Sequence, residues 1–228
     1  MQHKVEFLPL FYNNFNTPWE QVLHLGISKT FPAKTIITRP ARTAYQEGMY
    51  YIKRGLIRLS QLTATGEEHD MLYMGHGMLF NEIPMFRADS NHLFTCLKET
   101  DTVFLPKSLL TKQFVQQHPE LMLNLLESLV NKASCFYTKL YTVNNLDTFT
   151  SVCRTLYSMH LYNQHQDKIT VPGLTQQELA SFLSIHRSSL HKVLIRLKNE
   201  GIIGNYSKKE LNILRPEVLY TYTLGEKE

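Results

Sequence analysis

The 228 residues predict an α+β chain in three parts: an antiparallel β-roll punctuated by glycine, one long helix with a heptad repeat, and a helix–turn–helix closed by a hairpin. Three observations carry that prediction. Glycines 48, 55, 66, 75 and 77 separate short apolar and β-branched runs, the rhythm of turns in a compact roll. From Met122 the apolar residues recur at alternating intervals of four and three. In LSIHRSSLHKVLIRLKNEG, Leu190, Val193, Leu194 and Leu197 share one helical face, and Arg187, Ser188, His191, Lys192 and Ile195 point the other way.

Taken in order, short strands run to about residue 107. In TATGEE (Thr63–Glu68), Gly66 can supply the positive φ that a tight hairpin turn needs. KSLLTKQFVQQ reads as a short helix, and Pro119 opens a long one, since a proline's missing N–H would go unpaired in the first turn anyway. Along it Met122, Leu126, Leu129, Ala133, Phe136, Leu140 and Val143 form three heptads, read as a homodimer seam because a helix packed only on its own domain shows a wider stripe. Asn144–Asp147 breaks the pattern, and a helix from Thr148 to Asn163 follows, then the polar loop NQHQDK and a short extended piece, Ile169–Pro172.

Thr175 and Glu178 have capping-box spacing at the start of a helix over Gln176 to Leu183. A turn at Ser184–Ile185 leads into the basic helix. After Gly201, IIGNYSKKELNILRP reads as two strands around the tip Tyr206-Ser207-Lys208-Lys209. The division expected is residues 1–118 for the roll, 119–145 for the dimerisation helix and 146–228 for a winged helix-turn-helix.

Composition bounds the function. An apolar fraction of 43% and a charged fraction of 19% are those of a globular protein, and no run of eighteen apolar residues is present to cross a membrane. The start MQHKVEFLPLFYNNF has no signal-peptide pattern, so a cytoplasmic location is expected. Cys96, Cys135 and Cys153 lie far apart, which fits buried thiols in a reducing compartment. No nucleophile–base pair, H-E-x-x-H or phosphate-cradling glycine loop is visible, so no enzyme, metal site or cofactor is expected.

Charge is concentrated at one end. Residues 186–215 hold seven Lys or Arg against two Glu, a net of +5, and the other 198 residues sum to −1 of the chain's +4. A capped helix, a tight turn and a basic amphipathic helix together lay the second helix in the major groove of double-stranded DNA. Thr175 and Gln176 would present helix N–H groups to a phosphate, and Lys208 and Lys209 would reach the flanking backbone.

These motifs resemble the bacterial transcription regulators typified by the cyclic AMP receptor protein and the fumarate–nitrate reductase regulator. YYIKRG, TGEE and GMLFNE fall at that family's β-roll glycines and Gly-Glu, and LTQQELASFLSIHRSSLHKVLIRLKNEGII follows its helix-turn-helix. The resemblance, from about residue 30 onward, implies a cyclic-nucleotide-binding-like roll, a coiled-coil dimerisation helix and a winged helix. It implies a homodimer on a palindromic site that works with RNA polymerase, usually as an activator.

It also places base reading on Arg187, Ser188 and Lys192, with Ser189 at a phosphate and His191 and Arg196 on the same basic helix. Arg187 would grip guanine O6 and N7, worth about 1–3 kcal/mol of discrimination. Ser188 stands where many members have Glu, and Lys192 replaces an Arg and its bidentate fork.

The sensor departs from the cyclic AMP pattern. Glu82 is kept, but Asn81 replaces its glycine partner, His92-Leu93 replaces the phosphate-binding Arg-Ser, and Phe136-Tyr137 replaces the Thr-Ser at the adenine. A cyclic phosphate without its counter-ion would be costly to bury, so a different effector is expected. Glu82, His92, Leu93, Phe94, Phe136 and Tyr137 would line a site for a small organic molecule, as in the halophenol-sensing branch, which also lacks that arginine. A roll packed shut, a thiol-redox control through Cys96 or Cys135, a haem on His69, His76 or His92, and a sensor acting on a partner protein are the alternatives.

Overall fold

The computed structural model describes residues 11–12, 14–37, 47–64, 66, 68–87, 91–164, 175–207 and 210–225. Ile169–Pro172 and the hairpin-tip lysines Lys208 and Lys209 lie outside them. The chain has two compact units, residues 11–133 and 134–228.

The first unit is the expected roll. One sheet has the order β1 (Phe11–Tyr12), β5 (Glu68–Met74), β4 (Ile57–Leu62), β7 (His92–Cys96). The other runs β2 (Ile27–Phe31), β8 (Thr100–Pro106), β3 (Gly48–Arg54), β6 (Leu79–Phe80). Among the described residues of the roll, strand pairings are antiparallel except that of β1 with β5. Phe80 joins the two sheets by lying 5.0 Å from Phe94, and within its own sheet Tyr50 stacks on Phe80 at 5.0 Å and meets Phe104 at 4.9 Å.

Two helical pieces interrupt what sequence alone reads as strand. A 3-10 segment covers Thr17–Leu25, where Pro18 sets the first turn and Trp19 and Val22, three apart, bury on one side. The short α1 (Glu82–Phe86) follows Asn81, whose φ of 75° explains why the resembled family uses glycine there. Asn81 tolerates that conformation and donates to the Gly48 carbonyl at 2.6 Å.

Thr111 caps α2 (Lys112–Gln117) by accepting from the Phe114 N–H, and α3 runs from Pro119 to Asn145. In the second unit α4 (Thr148–Gln164), α5 (Gln176–Leu183) and α6 (Arg187–Asn199) are followed by the hairpin β9 (Ile203–Ser207) and β10 (Glu210–Ile213). A last helix, α7 (Pro216–Thr223), packs on α4 and goes unread in the sequence because its eight residues carry no apolar repeat beyond Val218 and Leu219. The core of this unit joins Val152, Leu156 and Met159 of α4 to Leu183, Leu190, Leu197 and Leu219.

Candidate nucleic-acid interface and the faces of the long helix

The recognition unit is built from the turn outward. Thr175 Oγ1 accepts from the Glu178 N–H at 3.1 Å, and Glu178 Oε2 accepts from the Thr175 N–H at 2.7 Å, so the capping box is complete. Those bonds occupy the N–H of Thr175, one of the two residues expected to meet a phosphate, and Gln176 opens the helix behind it. Ser184 takes a left-handed φ of 55°, its N–H and that of Ile185 bond back to Ser181 and Ala180, and the chain turns into α6.

Leu190, Val193, Leu194 and Leu197 are buried on the inner face of α6. Arg187, Ser188, His191 and Lys192 are exposed on the other, as Arg187/His191 and Ser188/Lys192 pairs one turn apart, with Ser189 half-buried between. The helix ends in a Schellman motif: Ile202 N–H bonds to Leu197 O at 2.9 Å, Gly201 N–H to Lys198 O at 3.0 Å, and Gly201 takes the required φ of 66°. That end aims the chain into the hairpin, where Leu211 pairs with Tyr206 and Glu210 with Ser207.

Arg196 is placed differently from the other basic residues of α6. Its Nε donates to Glu200 Oε1 at 2.7 Å, and its guanidinium lies 4.2 Å from the centre of the Phe149 ring. Tyr222 Oη donates to the other Glu200 oxygen at 3.1 Å, and the Glu200 bond raises the Arg196 pKa. Arg196, grouped by sequence with the DNA contacts, is thus engaged in tying α6 to α4 and α7.

The first half of α3 turns polar residues inward. Asn124 and Ser128 meet Asn16, at 2.8 Å and 3.2 Å, and Asn16 Oδ1 also accepts the Leu79 N–H. One turn on, Lys132 donates to the Leu79 carbonyl at 2.8 Å and to the Glu82 carboxylate. Both side chains of that ion pair are under 10% exposed. Glu82, expected to hold an effector, is held by a lysine that no sequence motif singles out. Its place four positions on from Ser128, in a helix of this register, is the available signal.

The apolar residues expected at a dimer seam divide between two faces of α3 in the single chain. Met122 and Leu129 pack inward against the roll's core around Trp19, Leu121 and Leu125. Phe136 and Val143 are half-buried. Leu123, Leu126, Val130, Tyr137 and Leu140 are each more than half exposed, and Ala133 is exposed among them. Leu126, Ala133 and Leu140 belong both to the expected seam and to the exposed stripe, which Leu123, Val130 and Tyr137 also line.

Of the expected effector residues, Leu93 and Phe94 are buried in the aromatic interior of the roll, and His92 is half-buried, which lowers its pKa. Phe136 and Tyr137 belong to the other unit, and Tyr137 is 73% exposed. Among the described residues no group of three or more His, Cys, Asp or Glu could hold a metal ion, and no helix is long and apolar enough to cross a membrane. All three cysteines are buried, and burial pushes the Cys153 thiol up to about 12.

Comparison with known proteins fits this geometry. Residues 151–222 match the Crp-like helix-turn-helix domain. The cAMP-activated global transcriptional regulator CRP of Haemophilus influenzae is 22% identical over 184 residues, covering 78% of this chain and 80% of that protein. Among solved structures, OCPA-complexed CprK aligns over 92% of this chain and 98% of its own, with a TM-score of 0.71 at 17% identity. A CooA mutant from Carboxydothermus hydrogenoformans aligns over 93% and 100%, with a TM-score of 0.74 at 15% identity.

Proposed function

We propose that the chain is a transcription regulator of the CRP/FNR type that acts in the cytoplasm as a homodimer on palindromic DNA, a reading supported by its similarity to the Crp-like helix-turn-helix domain and to CRP itself. One observation carries the reading: α6 exposes Arg187, Ser188, His191 and Lys192 on a single face while its apolar residues are buried. Arg187 reads a guanine, Ser188 and Lys192 tune the neighbouring positions, and Ser189, Gln176 and Lys208–Lys209 hold phosphates. The outward stripe of α3, Leu123 through Leu140, pairs two copies, so that two α6 helices enter successive major grooves about 34 Å apart. In this division of labour residues 1–118 sense, 119–145 pair and 146–228 bind DNA.

The H. influenzae relative is described as cAMP-activated. Here His92-Leu93 offers no phosphate counter-ion and Glu82 is taken by Lys132, which supports an effector other than cyclic AMP. Activation through RNA polymerase is the output we assign. Thiol control through Cys96 or Cys135 is the weaker alternative, because both thiols are buried and burial raises the Cys96 pKa, which suppresses its reactive thiolate.

Selection from a random duplex library by the full-length protein tests the reading. The expected product is an inverted repeat with half-sites about 10 base pairs apart, centre to centre. A pool no more tightly bound than the starting library would overturn it.

A further inference from the structure

The outward face of α6 is polar except at Ile195. That side chain is 45% exposed, and every other exposed position of the helix carries a charged or hydrogen-bonding group. Ile195 is not the rim of the core. At 3.6 residues per turn it lies about 150° from the middle of the buried stripe formed by Leu190, Val193, Leu194 and Leu197. On the same count it falls within about 20° of Ser188, about 40° of His191 and about 60° of Lys192. One turn further, Lys198 and Asn199 are exposed as well, so polar neighbours enclose the isoleucine at both ends.

Local folding does not account for it. A β-branched residue at an exposed position inside a helix is a poorer helix former than Lys or Arg, because its χ1 is restricted against the preceding turn. In a helix that enters the major groove, however, the position has a specific chemistry. The groove edge of the base pairs is a pattern of hydrogen-bond donors and acceptors, and the thymine C5 methyl is its apolar element. An isoleucine pressed on a donor or acceptor strips its water and returns no bond. Against a methyl group it removes apolar surface from water on both sides. Reach is adequate: Ile195 follows Arg187 by about 12 Å of helix axis, or about three to four base-pair steps, so both stand over one half-site.

We infer, on the proposed DNA-binding role of α6, that Ile195 reads the C5 methyl of a thymine in each half-site. It is a specificity contact separate from that of Arg187, made by shape and desolvation where Arg187 uses hydrogen bonds.

The test uses the full-length protein and the inverted repeat recovered by library selection, with Kd read by fluorescence anisotropy. Each thymine of a half-site is replaced in turn by deoxyuridine, together with its symmetry mate, which removes the C5 methyl and keeps every hydrogen-bonding edge. At one position the parent protein should bind about three- to tenfold more weakly. Ile195→Ala should bind the thymine site more weakly by a similar factor and be indifferent to deoxyuridine at that position, and Ile195→Val should keep the sensitivity. Thermal melting establishes that both variants are folded. A half-site without thymine, a parent protein indifferent to every replacement, or equal sensitivity in the parent and Ile195→Ala would overturn the proposal. A selection that enriches no sequence overturns the regulator reading and this contact with it, so the two failures are told apart.

Discussion

Two amphipathic helices, α6 and α3, are mounted in opposite senses. In α6 the apolar face is buried and a cationic face is left to solvent, the usual arrangement for a surface helix. In its first half α3 turns Asn124, Ser128 and Lys132 toward the roll and leaves Leu123, Leu126 and Val130 outside. The exposed face of each helix has the chemistry its proposed partner requires: cationic for a polyanion, apolar for a second copy of the same stripe. The buried face states what fixes the helix in place. Leucine packing tolerates small slips, whereas a row of hydrogen bonds to Asn16, Leu79 and Glu82 admits one register.

The largest test breaks the inward face of α3. Lys132→Ala leaves the Glu82 carboxylate buried without its partner, which should cost about 3–5 kcal/mol and appear as a lower urea midpoint. The double variant Lys132→Met/Glu82→Leu should recover most of that loss, since the pair's desolvation cost disappears with it. If Lys132→Ala melted like the parent protein, the polar row would not be what holds α3.

Next in size is the outward face. In the proposed dimer Leu126→Glu places like charges across the two-fold axis, a cost of several kcal/mol to pairing. Sedimentation velocity should show a monomer whose circular dichroism is unchanged, because Leu126 is 58% exposed within the single chain. A dimer that survived this change would move the pairing surface elsewhere.

The contrast between the helices also explains what is legible in the sequence. α6, the capping box of α5 and the turn between the two helices can be read because their buried residues are apolar and their signals local. The repeat on α3 is visible too, but periodicity does not separate the apolar residues that pack on the roll from those left exposed. Periodicity assigns every leucine the same meaning, and Met122 and Leu129 pack on a core centred on Trp19, a contact more than a hundred residues distant along the chain. Lys132 escapes notice for a related reason: a lysine is read as solvated until its carboxylate partner is known. The 3-10 segment at Thr17–Leu25 and α7 go unread because each is too short to establish a repeat. The expected effector lining is divided between two units, as linear motifs do not report which units their residues join.

On α6 the effects are smaller and specific. Arg187→Ala should lose about 1–3 kcal/mol of discrimination at one base pair and leave affinity for random duplex nearly unchanged. Equal losses on selected and random DNA, measured by fluorescence anisotropy, would make Arg187 a phosphate contact instead.

The smallest effect separates two arginines of the same helix. Arg196 follows Arg187 by nine residues and has the same charge, yet its guanidinium already bonds Glu200 and lies over Phe149. An exposed i,i+4 ion pair with a ring contact contributes about 0.5–1 kcal/mol to folding, so Arg196→Ala should lower stability by that order. It should leave the salt dependence of DNA binding unaltered, whereas removing Lys208, proposed above to hold a phosphate, should reduce the slope by about one. A reduced slope in Arg196→Ala would mean that the side chain exchanges Glu200 for the phosphate backbone on binding. It would then count among the contacts that α6 makes outward rather than among those that hold it.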